Sequence, residues 1–237
     1  MSEKNEILMR PVAYFRSPFA SKFGVPKQSG LVESLHGEVV LETEYRNADA
    51  LRGLEGFDYL WLIWGFSANK HAAASLVVRP PVLGGNEKRG VFATRSPFRP
   101  NPLGLSSVRI ERIEWDTTRG PVIHVLGADL MDGTPIYDIK PYIEYADSHS
   151  GLRNGFVDTH PIKRLQVEFS EQVQRLFSAD EMETLRQVLE LDPRPHYQND
   201  EQKVYGMPYK QYDIRFRVSV DGVLEVREAV VMKRQKR

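Results

Sequence analysis

From residue 11 to residue 142 the apolar residues come in short runs, and Gly or Pro stands at almost every break between them. Runs of about four to eight residues are long enough for a strand and too short for a helix that must carry its own apolar stripe. Residues 11–16, ending at Ser17-Pro18, read as a first strand, and residues 37–42 as a second. Residues 59–66 are apolar on both faces, as expected of a central buried strand. Residues 91–94, 108–113, 122–126 and 136–139 follow at strand length, and one short helix is expected at 48–54, closed by Gly56. Many short strands without a strand-helix-strand rhythm predict a mainly β fold, an antiparallel barrel or sandwich.

Composition shifts after Asp147, where Ser, Gly, Asn and Asp cluster as far as Pro161. That cluster reads as a linker over 148–161, between an N-terminal unit at 7–147 and a smaller C-terminal α+β unit at 162–237. In the second unit residues 162–169 read as a strand. Ser178-Ala-Asp-Glu181 forms a capping box ahead of Met182, Leu185, Val188 and Leu189 at helical spacing. Asp221-Gly222, between residues 215–220 and 223–231, predicts a hairpin closed by a two-residue turn.

Bulk properties exclude some chemistry. The chain has no cysteine, which removes disulfides, thiolate nucleophiles and Cys-ligated zinc. Its six histidines show no H-x-x-x-H spacing, so no metal site is expected. There is no Gly-x-Gly-x-x-Gly after a strand, no Walker loop and no Gly-x-Ser-x-Gly. The residues before Ile7 form no apolar leader, and the longest apolar stretch has eight residues where a transmembrane helix needs about 20. A cytoplasmic protein with no membrane contact is expected. Lys plus Arg and Asp plus Glu both number 32, so an RNA-binding surface would have to gather its positive charge on one face. Residues 194–237 hold four more basic than acidic side chains, interleaved with Tyr197, Tyr205, Tyr209, Tyr212 and Phe216. That mix suits single-stranded RNA or, equally, a solvated hairpin.

Three segments are candidates for chemistry. Thr94-Arg-Ser-Pro-Phe-Arg-Pro-Asn-Pro-Leu-Gly104 carries Pro97, Pro100 and Pro102, which fix φ and withhold amide donors. It presents Arg95, Arg99 and Asn101 either as solvated residues of a rigid turn or as an anion or nucleobase site. In Leu130-Met-Asp-Gly-Thr-Pro-Ile-Tyr-Asp-Ile-Lys-Pro-Tyr142, alternation puts Asp138 and Lys140 on one face with Ile136 and Tyr142. The two charges either pair at the surface, or Asp138 accepts a proton with Lys140 tuning it. The long loop from Ser17 to Gly30 is either a flexible excursion or a functional loop. In the second case Phe19 and Phe23 pin it and leave Pro26, Lys27 and Gln28 for a ligand.

These blocks resemble the tRNA N6-threonylcarbamoyladenosine methyltransferase family, the TsaA-like or TrmO group. The resemblance runs almost continuously over 12–147. It rests on Arg16-Ser-Pro, Pro26-Lys-Gln, Gly53-Leu-Glu-Gly-Phe, Arg79-Pro-Pro-Val-Leu-Gly-Gly, residues 90–104 and Asp132-Gly-Thr-Pro-Ile-Tyr-Asp-Ile-Lys-Pro-Tyr. Asp192-Pro-Arg-Pro-His-Tyr197 resembles a block in the C-terminal domain of bacterial members. The resemblance implies a single-sheet antiparallel β-barrel that binds S-adenosylmethionine and is distinct from Rossmann methyltransferases. It also implies a homodimer with the cofactor near the subunit interface, and a C-terminal domain that helps to hold tRNA. By the family pattern, Pro26, Lys27, Gln28, Phe66, Ser67, Arg95, Leu105, Asp132, Gly133 and Thr134 surround the cofactor. The family usually carries Phe-His where this chain has Phe66-Ser67.

The implied reaction is methylation of N6 of threonylcarbamoyladenosine at position 37 of tRNA, beside the anticodon. Asp138 is then the expected base, with Lys140 beside it and Tyr142 a weaker alternative. Arg95 or Arg99 would hold the threonyl carboxylate, and Asn101, Arg194 and Tyr197 would help bind substrate. The rival readings are a non-catalytic RNA-binding barrel and a methyltransferase acting on a small metabolite. Deleting the chain after Ile162 is expected to abolish activity on tRNA and to spare activity on a small molecule.

Overall fold

A computed structural model of the chain describes residues 7–69, 75–194, 200 and 202–232. In chain order its first strands are β1 (Ala13–Arg16), β2 (His36–Leu41) and β3 (Tyr59–Gly65), then a two-residue ribbon of β4 (Val77–Val78) and β5 (Arg89–Gly90). β6 (Leu103–Glu114), β7 (Val122–Leu126) and β8 (Pro135–Pro141) follow. The six long strands close on themselves as β1-β2-β7-β6-β3-β8, every pairing antiparallel. Closure leaves no sheet edge to protect, which a chain of short strands would otherwise have to manage. Alternation then fills the inside: Phe15, Val39, Leu60, Leu62, Val108, Ile123 and Ile136 are buried in one core.

Two expected elements take other forms. The helix expected at 48–54 is a pair of 3-10 turns, Ala48–Leu51 and Leu54–Gly56, because Gly53 stands between them at φ 87 in the left-handed region. Residues 91–94 form no strand; a 3-10 turn at Val91–Ala93 follows the β4–β5 ribbon.

Beyond the barrel lie a short helix α1 (Glu144–Asp147), strand β9 (Gln166–Phe169), and helices α2 (Glu171–Gln174) and α3 (Ala179–Glu190). β10 (Tyr205–Tyr209), β11 (Tyr212–Val218) and β12 (Val223–Val231) complete the chain. They form a second sheet, ordered β10-β11-β12-β9, in which β9 runs parallel to β12. β9 starts four residues later than the expected strand, since Leu165 spends its N–H on Glu190 at the end of α3. The capping box at Ser178 and Glu181 forms as its spacing predicts. The β11–β12 turn has three residues instead of two: Ser219 donates to Val223 across it, and Gly222 at φ 78 supplies the left-handed third position.

The two units share side chains. Phe19, Val32 and Leu35, all from the N-terminal unit, are buried in the core of the second sheet with Leu185, Met207, Ile214 and Phe216. Thr184 of α3 donates to the Ser34 carbonyl at 3.2 Å, and Lys210 donates its backbone N–H to Pro18 at 2.8 Å. The loop after β1 is thus fastened by the C-terminal sheet.

Candidate active site

One end of the barrel opens into a cavity of about 460 Å³ where β3 finishes, β6 begins and the chain enters β8. The β1–β2 loop contributes Lys22, Val25, Pro26, Lys27 and Gln28. β3 and its exit contribute Trp61, Trp64, Gly65, Phe66, Ser67, Ala68 and Asn69. The proline-braced segment supplies Thr94, Arg95, Pro97 and Arg99 and then, as it becomes β6, Leu103, Gly104 and Leu105. The segment between β7 and β8 closes the floor with Asp129, Met131 and Thr134.

The proline-braced loop is stiff because it bonds to itself. Thr94 Oγ1 donates to the Val91 carbonyl at 2.9 Å and accepts from the Ser96 N–H, and Ser96 Oγ accepts from Phe98. Arg99 donates to the Thr94 carbonyl at 3.1 Å, so part of its guanidinium serves the loop. Arg95 reaches across the cavity mouth and donates to Gln28 Oε1. At the β3 exit the Phe66 N–H bonds the Pro102 carbonyl at 2.9 Å, and the Phe66 ring meets Trp64 edge-on with centroids 4.4 Å apart.

Of the residues expected around a cofactor, Pro26, Lys27, Gln28, Phe66, Ser67, Arg95, Leu105 and Thr134 line this cavity, and Arg99 joins them. Asp132 and Gly133 stand behind the wall as braces. Asp132 Oδ1 accepts the Ser17 N–H at 3.3 Å, Arg16 lies 3.7 Å from its other oxygen, and Gly133 donates to the Phe15 carbonyl. Asn101 is exposed outside the lining. Arg194 is held by Asp192 through two hydrogen bonds of 2.8 and 2.9 Å and also lies outside it. Tyr197 falls outside the described residues.

Asp138, Lys140 and Tyr142 are not among the residues that line this cavity. A register shift between Ile63 and Trp64, where β8 spends one extra residue against β3, separates Asp138 and Lys140 from Ile136. Ile136 therefore points into the core, while Asp138 pairs across from Ile63 and Lys140 from Trp61, so the shared face read from alternation is broken. Asp138 bonds the Ile139 N–H and sits 2.9 Å from Lys140; it lines a different cavity, with Val12, Leu41 and Leu54. Tyr142 packs against Trp61 with ring centroids 5.5 Å apart.

Asp129 and Asn69 are among the lining residues that the sequence reading passed over. Asp129 is largely enclosed, and that enclosure raises its carboxyl pKa, opposed by the Ser106 hydroxyl that donates to it and by the charge of Arg95. Enclosure lowers the pKa of Lys27, with the Asp192 carboxylate pulling the other way. Asn69 Oδ1 accepts from Lys22, while its Nδ2 is buried with no acceptor among the described residues.

The tRNA-methyltransferase O N-terminal domain model matches residues 14–148, and the TrmO C-terminal domain model matches 162–230. The chain is 40% identical over 220 residues to the tRNA (adenine(37)-N6)-methyltransferase of Escherichia coli strain K12, covering 89% of this chain and 93% of that protein. It is also 40% identical over 214 residues to a Pseudomonas aeruginosa protein named for S-adenosylmethionine-dependent methyl transfer, covering 86% and 87% of the two chains. The crystal structure of TrmO from Pseudomonas aeruginosa superposes with a TM-score of 0.77 at 31% identity, covering 96% of this chain and all of that one. With both domain models matched in order, and likeness that spans nearly the whole of full-length relatives, the chain belongs to the tRNA-methyltransferase O family.

Proposed function

We propose that the barrel-mouth cavity is where this S-adenosylmethionine-dependent enzyme methylates N6 of adenosine 37 in tRNA, and that its substrate is the threonylcarbamoylated form of that adenosine. The observation that carries the reading is the cavity's composition. Aromatic walls (Trp61, Trp64, Phe66), four cationic side chains (Lys22, Lys27, Arg95, Arg99) and one enclosed carboxylate meet in one space.

Those residues fit the donor. Its sulfonium is a cation that aromatic faces attract, its carboxylate suits Lys27 and Arg95, and the buried Asn69 Nδ2, which has no acceptor among the described residues, could donate to it. S-adenosylmethionine, when bound, supplies an electrophilic methyl group. The protein's own contribution is alignment and exclusion of water, and positioning of reactants is worth about 7–11 kcal/mol of barrier in favourable cases. Arg99 keeps guanidinium donors beyond those given to its own loop, and a threonyl carboxylate would take them in charge-assisted pairs. Ser67 also lines the cavity, and its short side chain limits any contact made there.

The C-terminal sheet reads as the part that helps to hold tRNA. The outer face of β3 and β6 supports a second copy of the chain near the site, since half-buried Trp61 and exposed Leu105 line the cavity and lie on one face with exposed Tyr59. Sedimentation equilibrium should then give the dimer mass, and a monomer at micromolar concentration would remove this element. The activity itself is tested by transfer of labelled methyl to tRNA with and without the threonylcarbamoyl group. Label is expected at adenosine 37 of the modified tRNA only. Equal labelling of both tRNAs would refute the substrate assignment, and no labelling of either would refute the reading as a whole.

A further inference from the structure

Removing the proton from the target nitrogen needs a group inside the cavity. Among the described lining residues the titratable side chains are Lys22, Lys27, Arg95, Arg99 and Asp129; no histidine or tyrosine joins them. Asp129 is the one carboxylate. Its surroundings fix its orientation. Trp64 Nε1 donates to Ser106 Oγ at 2.9 Å, and both residues are buried. The serine oxygen is thereby occupied from behind, and its own proton is directed to Asp129 Oδ1 at 2.5 Å. The backbone N–H groups of Ser29 and of Asp129 itself add to the hold on the carboxylate. A carboxylate offers about four acceptor positions, so these bonds leave room for one more partner on the cavity side.

We propose that Asp129 is the catalytic base that takes the N6 proton of the adenine as the methyl group arrives. The inference rests on the reading of the cavity given above. In the step, the nitrogen lone pair forms the new N–C bond while the electron pair of the breaking C–S bond stays with sulfur. The electron pair of the N–H bond returns to nitrogen, and the proton passes to Asp129, which later yields it to water. A carbamoylated exocyclic nitrogen is a weak nucleophile, because ring and carbonyl both withdraw its lone pair, so the reaction gains from this transfer. Enclosure makes the carboxylate more basic than an ordinary one, which brings it nearer the range useful at neutral pH. The Ser106 bond favours the ionised form and opposes that rise. Asp138 is paired with Lys140 and does not line this cavity.

Asp129→Asn keeps the shape and can still accept from Ser106, but it cannot take a proton. Single-turnover methylation of modified tRNA by the variant should fall by about 100-fold or more, while donor affinity measured by calorimetry stays within about threefold of the parent. The parent's rate should show an acid limb, and the variant's residual rate should lack it. Ser106→Ala provides a second reading: removing a bond to the charged form raises the Asp129 pKa further, so the acid limb should move to higher pH with donor affinity retained. A rate for Asp129→Asn near the parent's, an acid limb that survives in it unchanged, or a loss of donor affinity as large as the loss of rate would each overturn the proposal. A parent enzyme that transfers no methyl would instead refute the activity on which the proposal rests.

Discussion

Phe19 sets its ring against Tyr209 with centroids 5.6 Å apart, so the loop that carries Pro26, Lys27 and Gln28 to the cavity is pinned by the C-terminal sheet. The second unit therefore does more than present a surface beside the barrel. It holds one wall of the site in place.

Phe19→Ala should separate the two roles. Emptying a fully buried phenylalanine costs about 3–5 kcal/mol in typical cores, and urea denaturation should register a loss of that order. Calorimetry without RNA should also show weaker donor binding, because Lys27 and Gln28 lose their fixed position. Unchanged donor affinity in the folded variant would mean that the loop keeps its shape unaided. Deleting the chain after Ile162 strips the partners of Phe19, Val32 and Leu35, so donor binding is expected to fall with activity on every substrate. That deletion cannot tell an RNA substrate from a small one.

Gly104→Ala should damage the site by sterics alone. A Cβ there would lie 2.3 to 2.7 Å from atoms of the Trp64 indole, which is buried and cannot retreat without giving up its bond to Ser106. Overpacking of this kind costs about 1–3 kcal/mol. Tryptophan emission should shift, thermal stability should drop, and methylation should slow as Asp129 loses its oriented serine. An alanine variant with parental emission and rate would show that the indole has somewhere to go.

Tyr209 gives the molecule an alkaline weakness. Burial, with the Glu181 charge second, pushes its phenol up to about 12, against 10 for the free side chain. The folded state thus keeps a proton that the unfolded chain releases above about pH 10, so stability should fall as pH climbs from about 10 towards 12. Tyr209→Phe should flatten that limb in denaturation curves recorded across the range. A limb of unchanged steepness would assign the loss to other groups.

Much of the fold and part of the site were legible in the residues themselves. Short runs broken by Gly and Pro determine strands of limited length, and the absence of a helical rhythm between them determines an antiparallel arrangement. Local chemistry also sufficed for the capping box at Ser178 and for the stiffness of the proline-braced loop, because each depends on residues within a few positions of one another. The ordered blocks around Pro26, Arg95, Leu105 and Thr134 pointed to residues that do line one cavity. Only the tertiary structure decided which face each strand presents after a bulge. Alternation alone kept Ile136 and Asp138 together, and one extra residue opposite Ile63 and Trp64 separates them. Tertiary structure also joined Asp129 to Ser106 and Ser106 to Trp64, 23 and 42 residues apart, and sank Phe19 into the core of a distant sheet. Such contacts arise when a closed barrel brings separate strands side by side, and no local pattern records which strands will become neighbours.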